Sequence, residues 1–217
     1  MDNDSYLKTL KNADAWFEQA FAQKMVADKI LVDVIMSEEF VISLKEDESK
    51  MMDFVSLWGN ALYHYGIGIE NGLKGVIVKH HPELINLEMS GDDVVLKDIG
   101  GKASKNHDLY SLANRAGILN RELNLFKYDS DRKLLKNVLK HLTDVIRWAA
   151  RYPVPSSPSK VFEMEQDVPF VGVYGFHILD IICPIFDYFQ TLRDPNCKTA
   201  KDYLDEYLRE EFDGDNT

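Results

Sequence analysis

A chain of 217 residues can bury one sizeable core but is short for two full domains, and its 45% apolar and 28% charged residues are those of an ordinary soluble protein. A net charge of −11, with a pI near 5.0, disfavours a general polyanion binder. No segment approaches the roughly 18 uninterrupted apolar residues that a membrane span needs.

The charge is unevenly placed. Of 25 basic and 36 acidic residues, positions 97–160 hold 13 and 6, a local balance of +7, and the remainder holds 12 and 30. A cationic surface inside an acidic protein is the expected consequence, able to steer a phosphate-bearing ligand or dock an acidic partner. The two cysteines, Cys183 and Cys197, have neither metal spacing nor a disulfide framework and read as free thiols of a reducing compartment. Met1-Asp2-Asn3-Asp4 lacks the basic start and apolar stretch of a secretory signal. The expected location is cytoplasmic, with no membrane contact.

In chain order, Asp4 or Ser5 is suited to cap a first helix carrying Leu7, Leu10, Trp16, Phe17, Ala20, Phe21 and Met25, running to Ile35 or beyond with a candidate break near Asp28. A polar connector at 45–50 follows, and no repeat relates these segments to later ones. The second helix spans about 50–79, with Phe54, Trp58, Leu62, Tyr65, Ile69, Leu73 and Val76 on one face. Gly59, Gly66, Gly68, Gly72 and Gly75 each cost about 0.8–1.0 kcal/mol relative to Ala. Close approach of a neighbouring helix or of a second subunit offsets that cost; a break near Gly66 is the alternative. Glu70 and Lys74, one turn apart, form a surface pair or polar groups at a subunit seam.

From 82 to 105 the helical period stops. Val94-Val95-Leu96, flanked by Gly91 and Gly100-Gly101, forms either a short hairpin or a long irregular loop. A short helix over 107–116 is capped by Asn106 or the His107-Asp108 pair and stopped by Gly117. Positions 131–150 then place Leu134, Leu135, Val138, Leu139, Leu142, Val145, Ile146 and Ala149 at a 3.6-residue period, with Arg132, Lys136, Lys140, Arg147 and Arg151 on the other face. An ordinary solvated face is the bland explanation of that stripe. Pro153, Pro155, Pro158 and Pro169 make 153–169 an extended crossover suited to a lid or strap. A core helix over 173–192, with Phe176, Leu179, Ile182, Ile185, Phe186 and Phe189 inward, is bent or interrupted at Pro184. A last helix starts at Asp194 or Asn196, followed by an acidic tail.

A short helix opened by His107-Asp108-Leu109, followed by an apolar helix ending in Arg151-Tyr152-Pro153, resembles the helical HEPN superfamily (higher eukaryote and prokaryote nucleotide-binding domains). Positions 63–81, with the core Glu70-Asn71-Gly72-Leu73-Lys74-Gly75, are similar to that family's preceding helix. The resemblance covers 51–155. It implies an all-α fold, a HEPN-like helical bundle, with 1–217 a single helical domain, 51–155 its core, and 1–50 and 170–217 additional packing helices. It also implies homodimerisation and a prokaryotic defence or toxin–antitoxin setting with a partner encoded nearby.

Catalytic members of the family are RNases with an Arg followed, four to six residues on, by a His. They join a cation for the phosphate to an imidazole for proton transfer. No arginine here is so followed. The nearest formal match, Arg147 to Tyr152, puts a phenol of reference pKa near 10 in the imidazole's place. No catalytic residue is therefore assigned; His107, His141, Arg147 and Tyr152 are the residual candidates. His80 and His81 are adjacent and point to different faces, so no metal site is expected, and the glycine pairs fail the strand–loop–helix condition of a nucleotide fingerprint, so no cofactor is expected. The leading expectation is a non-catalytic module binding a nucleotide, RNA or a protein partner through Lys136, Lys140, Arg147 and Arg151. The alternatives are a divergent metal-independent RNase, with His141 or His107 as the imidazole, and a structural helical subunit.

Overall fold

The computed structural model describes residues 2–47, 50–102, 107–120, 123, 125, 126, 128–149 and 177–198, with backbone alone for Glu46, Trp148 and Ala149. Asp2, rather than Asp4 or Ser5, opens the first helix, α1 (Asn3–Leu10), by accepting the Ser5 N–H at 2.7 Å. The long first helix expected from the apolar period is divided. Asn12 accepts the Asp14 N–H at 3.1 Å and starts α2 (Ala13–Lys29). A π-helical turn over Ile30–Ile35 then leads to Ser37, which accepts the Phe40 N–H at 3.2 Å and starts α3 (Glu38–Glu46). Short polar side chains that bond their own backbone restart the helix at each point, against a continuing apolar period. The expected break near Asp28 takes the form of the change from α-helix to π-helical turn between Lys29 and Ile30; Asp28 itself still pairs with Lys24 at 2.6 Å within α2. Met25, expected inward, is 58% exposed.

The next helix, α4 (Lys50–His80), has 31 residues without interruption, about 46 Å at 1.5 Å per residue. Leu62, Tyr65, Ile69, Leu73 and Val76 are buried as the period predicts, each side chain contributing roughly 1.5–3 kcal/mol. The helix does not break at Gly66. Its glycines are contact points for the chain's own helices: a Cβ at Gly66 would lie 2.5 Å from Ile146, one at Gly75 2.8 Å from Phe17, and one at Gly72 inside the ring of Phe189. The glycine-rich face is thus filled internally, which removes it as an argument for a second subunit. Gly59 is the exception, with nothing within 4 Å of an added Cβ.

Pro82 begins a single 3-10 turn, and the described part of this stretch, 82–102, takes the hairpin alternative. Strands β1 (Ile85–Ser90) and β2 (Asp93–Ile99) pair antiparallel around Gly91, whose φ of 64° suits the first position of a two-residue turn. A bulge between Asn86 and Leu87 shifts the register. Helix α1 holds the hairpin: Asn3 Nδ2 donates to the Asp92 carbonyl at 2.7 Å, and Asn3 Oδ1 accepts the Val94 N–H at 3.0 Å.

Two helices then carry the candidate site. Helix α5 (Leu109–Arg115) is capped by Asp108, which accepts the Ser111 N–H at 2.9 Å, and ends before Gly117 with φ of 77°. Helix α6 (Asp129–Asp144) begins where Asp131 accepts the Tyr128 N–H, and continues as a π-helical turn over Val145–Ala149. Leu135, Val138, Leu139, Leu142, Val145 and Ile146 are buried. The last described helix, α7 (Cys183–Arg193), follows a π-helical turn over Ile178–Ile182. Pro184 has no N–H for the preceding turn, and the widened turn absorbs that loss. It also shifts the phase: Ile178, Ile181 and Ile182 turn inward, while Leu179, expected inward, is 70% exposed. The expected crossover at 153–169, the expected helix after Asn196 and the acidic tail lie outside the described residues, apart from Cys197 and Lys198.

The described chain is therefore mostly helical, a helical bundle with one two-stranded hairpin. No described helix is long and apolar enough to cross a membrane. Helix α2 lies along α4, and α5, α6 and α7 complete the packing around it. Phe17, Phe186 and Phe189 form the centre, with ring centroids 5.8 to 6.0 Å apart for the pairs of Phe189. Because the Phe189 ring is fully buried, it cannot yield to a methyl group. Gly72→Ala should destabilise the fold by about 1–3 kcal/mol, whereas Gly59→Ala should stabilise it by up to about 1 kcal/mol. Urea unfolding of both variants checks the opposite signs.

Candidate functional site

Of the basic residues expected on the outer face of α6, three face solvent. Lys136 and Lys140 are exposed one turn apart on α6, and Arg147 is exposed in the π-helical turn that continues it. Neither Lys140 nor Arg147 has an ion-pair partner among the described residues. Lys136 Nζ lies 5.5 Å from the centroid of the Tyr110 ring, a cation–π contact reaching from α6 to α5. Arg132, at the start of the stripe, is half-buried, and its Nη1 donates to the Leu119 carbonyl at 2.8 Å. Arg151 and Tyr152 lie outside the described residues.

Between α5 and α6, beside Arg132, is a pocket of about 260 Å³ lined by Tyr110, Asn114, Ile118, Leu119, Phe126 and Arg132 with Leu135. Sequence reasoning did not single out Tyr110, Asn114 or Phe126. The available signal was Tyr110 and Asn114 one turn apart on a helix that must pack beside the cationic one.

A second polar group forms at the opposite end of α5. Glu70 is 3% exposed, not a surface residue. Its Oε1 accepts from Lys74 Nζ at 2.6 Å, and its Oε2 lies 2.8 Å from His107 Nδ1. Lys74 also sits 5.8 Å from the Trp16 ring centroid. A buried carboxylate needs such partners, since an unpaired one carries a large desolvation cost. His107 reaches Glu70 with φ of 51°, a left-handed conformation that costs a non-glycine residue about 1–2 kcal/mol. Its side chain is 39% exposed. When Nδ1 donates to the carboxylate, Nε2 is left as a proton acceptor. The Leu109 N–H donates to Thr143 Oγ1 at 3.1 Å, tying this end of α5 to the last turn of α6, one turn before Arg147.

His141 belongs to neither group. It is 4% exposed on the core side of α6, and burial, aided by the neighbouring His177, pushes its pKa down to about 4. His64 is likewise a boundary residue, its Nδ1 2.7 Å from Gln23 Oε1. Among the described residues no group of three or more His, Cys, Asp and Glu could hold a metal ion.

Comparison of the chain with protein-family models, with curated proteins and with solved structures finds no match. The HEPN-like expectation therefore rests on the residues quoted for it.

His141 makes stability depend on pH in a stated direction. With a folded pKa near 4 and an unfolded value near 6.5, the unfolded chain takes up a proton between those values that the folded chain does not. Stability is full above pH 6.5, falls as pH drops toward 4, and loses about 3 kcal/mol from this group. Urea unfolding between pH 7 and pH 4 should show this loss in the wild type and a shallower one in His141→Met; equal slopes would exclude His141 as its source.

Proposed function

We propose that the chain is a non-catalytic RNA-binding module whose α6 face tracks the phosphate backbone. The observation that carries this reading is the exposure of Lys136, Lys140 and Arg147 along α6 and the turn that continues it, without internal ion pairs for Lys140 and Arg147 among the described residues. Length decides between a mononucleotide and a strand. From Lys136 to Arg147 the exposed stretch rises roughly 16 Å, more than one nucleotide's phosphates engage and suited to several phosphates of a strand. The overall charge of −11 confines binding to this face by repelling polyanions elsewhere. The HEPN-like resemblance and its implied dimer and defence setting agree with such a module, in which RNA contact persists after the catalytic imidazole of the Arg–His pattern has gone.

A second reading, metal-independent RNA cleavage, is favoured by one observation: the buried Glu70 carboxylate orients His107 at the end of α5 tied to α6. In that reading His107, not the buried His141, supplies the base. Cleavage of RNA in EDTA that is lost in both His107→Ala and Glu70→Gln would favour it over simple binding; intact RNA after long incubation with wild type removes it.

For the binding reading, fluorescence anisotropy of a labelled, unstructured 20-nucleotide RNA gives the affinity across a salt series. Replacing both Lys140 and Arg147 by Ala should weaken binding at low salt at least tenfold and reduce the slope of log K against log salt by about 1.4, two single-strand phosphate contacts at ~0.7 each. Far-UV circular dichroism should not change, because both side chains are exposed. Equal affinity and slope in the double variant overturns the reading.

A further inference from the structure

We infer that the pocket between α5 and α6 takes one unstacked guanine base of the bound strand, an inference that rests on the RNA-binding reading and adds base selectivity to it. At about 260 Å³ the pocket lies just below the ~300 Å³ at which drug-sized ligand sites begin. It holds a single planar group, not a duplex or a folded element. Two of its lining side chains are aromatic: Tyr110, half-buried, offers the kind of surface on which splayed RNA bases stack, and Phe126, buried, belongs to the apolar wall.

The polar lining selects among bases. Arg132 is fixed by its Nη1 bond to the Leu119 carbonyl, and the rest of its fork has no other partner among the described residues. A guanidinium held this way presents donors in a plane and pairs with two adjacent acceptors. Guanine offers O6 and N7 on one edge; adenine offers N7 beside an amino donor, which faces Arg with like polarity. The Asn114 side-chain amide also lines the pocket without a partner among the described residues, and its carbonyl oxygen can accept from a base N–H. The phosphates have a continuation. Lys136 stands over the ring of Tyr110, one of the lining residues, and Lys140 follows about 6 Å further along α6. A base seated at Arg132 therefore sets the register of the backbone along the stripe.

The test uses the full chain and labelled 12-nucleotide oligouridines carrying one central guanosine, adenosine or abasic site. Wild type should bind the guanosine strand about tenfold tighter than the adenosine and abasic strands, the discrimination of one good base contact. Arg132→Lys keeps the charge but loses the fork, and should erase the preference while leaving abasic binding within about twofold. Arg132 is half-buried, so Asn114→Leu, at an exposed position, supplies an independent variant that should reduce the preference severalfold with unchanged helicity. Equal wild-type affinity for the three strands overturns the base pocket and leaves the RNA-binding reading standing. Absence of binding to all three overturns both. A guanosine preference that survives in both variants places selectivity elsewhere and also overturns the inference.

Discussion

Everything in this bundle is arranged around the close approach of large side chains to the bare backbone of α4. Ile146, Phe186, Phe189 and Phe17 each meet a glycine where any Cβ would intrude. Three helices, α2, α6 with its terminal turn, and α7, can therefore pack closely along a single 31-residue axis, and their aromatic and branched side chains meet its glycines. The glycines weaken α4 as an isolated helix by about 1 kcal/mol apiece. Packing reverses that balance, since one buried Phe or Ile contributes roughly 1.5–3 kcal/mol. Helix α4 is thus stable because of its neighbours, and those neighbours are placed by it.

That dependence fixes the surface as well as the core. Leu135, Leu139, Leu142 and Ile146 seat α6 against the bundle, so Lys136, Lys140 and Arg147 must face away. A buried stripe and a cationic stripe on one helix are two consequences of a single rotation about its axis. The other polar feature is held from the opposite direction. Glu70 lies among the buried residues of α4, and its two oxygens draw Lys74 and His107 to it. The left-handed backbone at His107 is compensated by that charge-assisted contact, so the entry to α5 is determined by a buried carboxylate 37 residues earlier.

Much of this was legible in the sequence because it is periodic or punctuated. The apolar repeat from Phe54 to Val76, the stop at Pro82, the Asp108 and Gly117 boundaries of α5 and the two-faced pattern of α6 are all local signals. The division of the first helix was not legible, since Asn12 and Ser37 are short polar side chains that an unbroken apolar period outweighs on paper. Glu and Lys four residues apart suit an exposed face equally well, so the spacing alone makes Glu70 a surface or seam residue. Only the burial of the later part of α4, from Ala61 to Val78, makes it internal. Its bond to His107 joins distant parts of the chain, and no spacing rule announces it. Leu179 was misplaced for a geometric reason: the π-helical turn before Pro184 changes the phase on which the inward assignment depended.

The acidic composition and the cationic face act together. A strand approaching a protein of charge −11 is repelled over most of the surface, and at ~0.15 M salt that repulsion decays over about 8 Å. Close to the α6 face, the local positive balance governs instead. On the proposed RNA-binding reading, binding is confined by repulsion as well as by attraction, which distinguishes this arrangement from a uniformly basic protein that adsorbs strands in any orientation. The same proposal gives the pocket between α5 and α6 its use: a base entering it would already be held by phosphate contacts along α6, so that one small cavity suffices to discriminate.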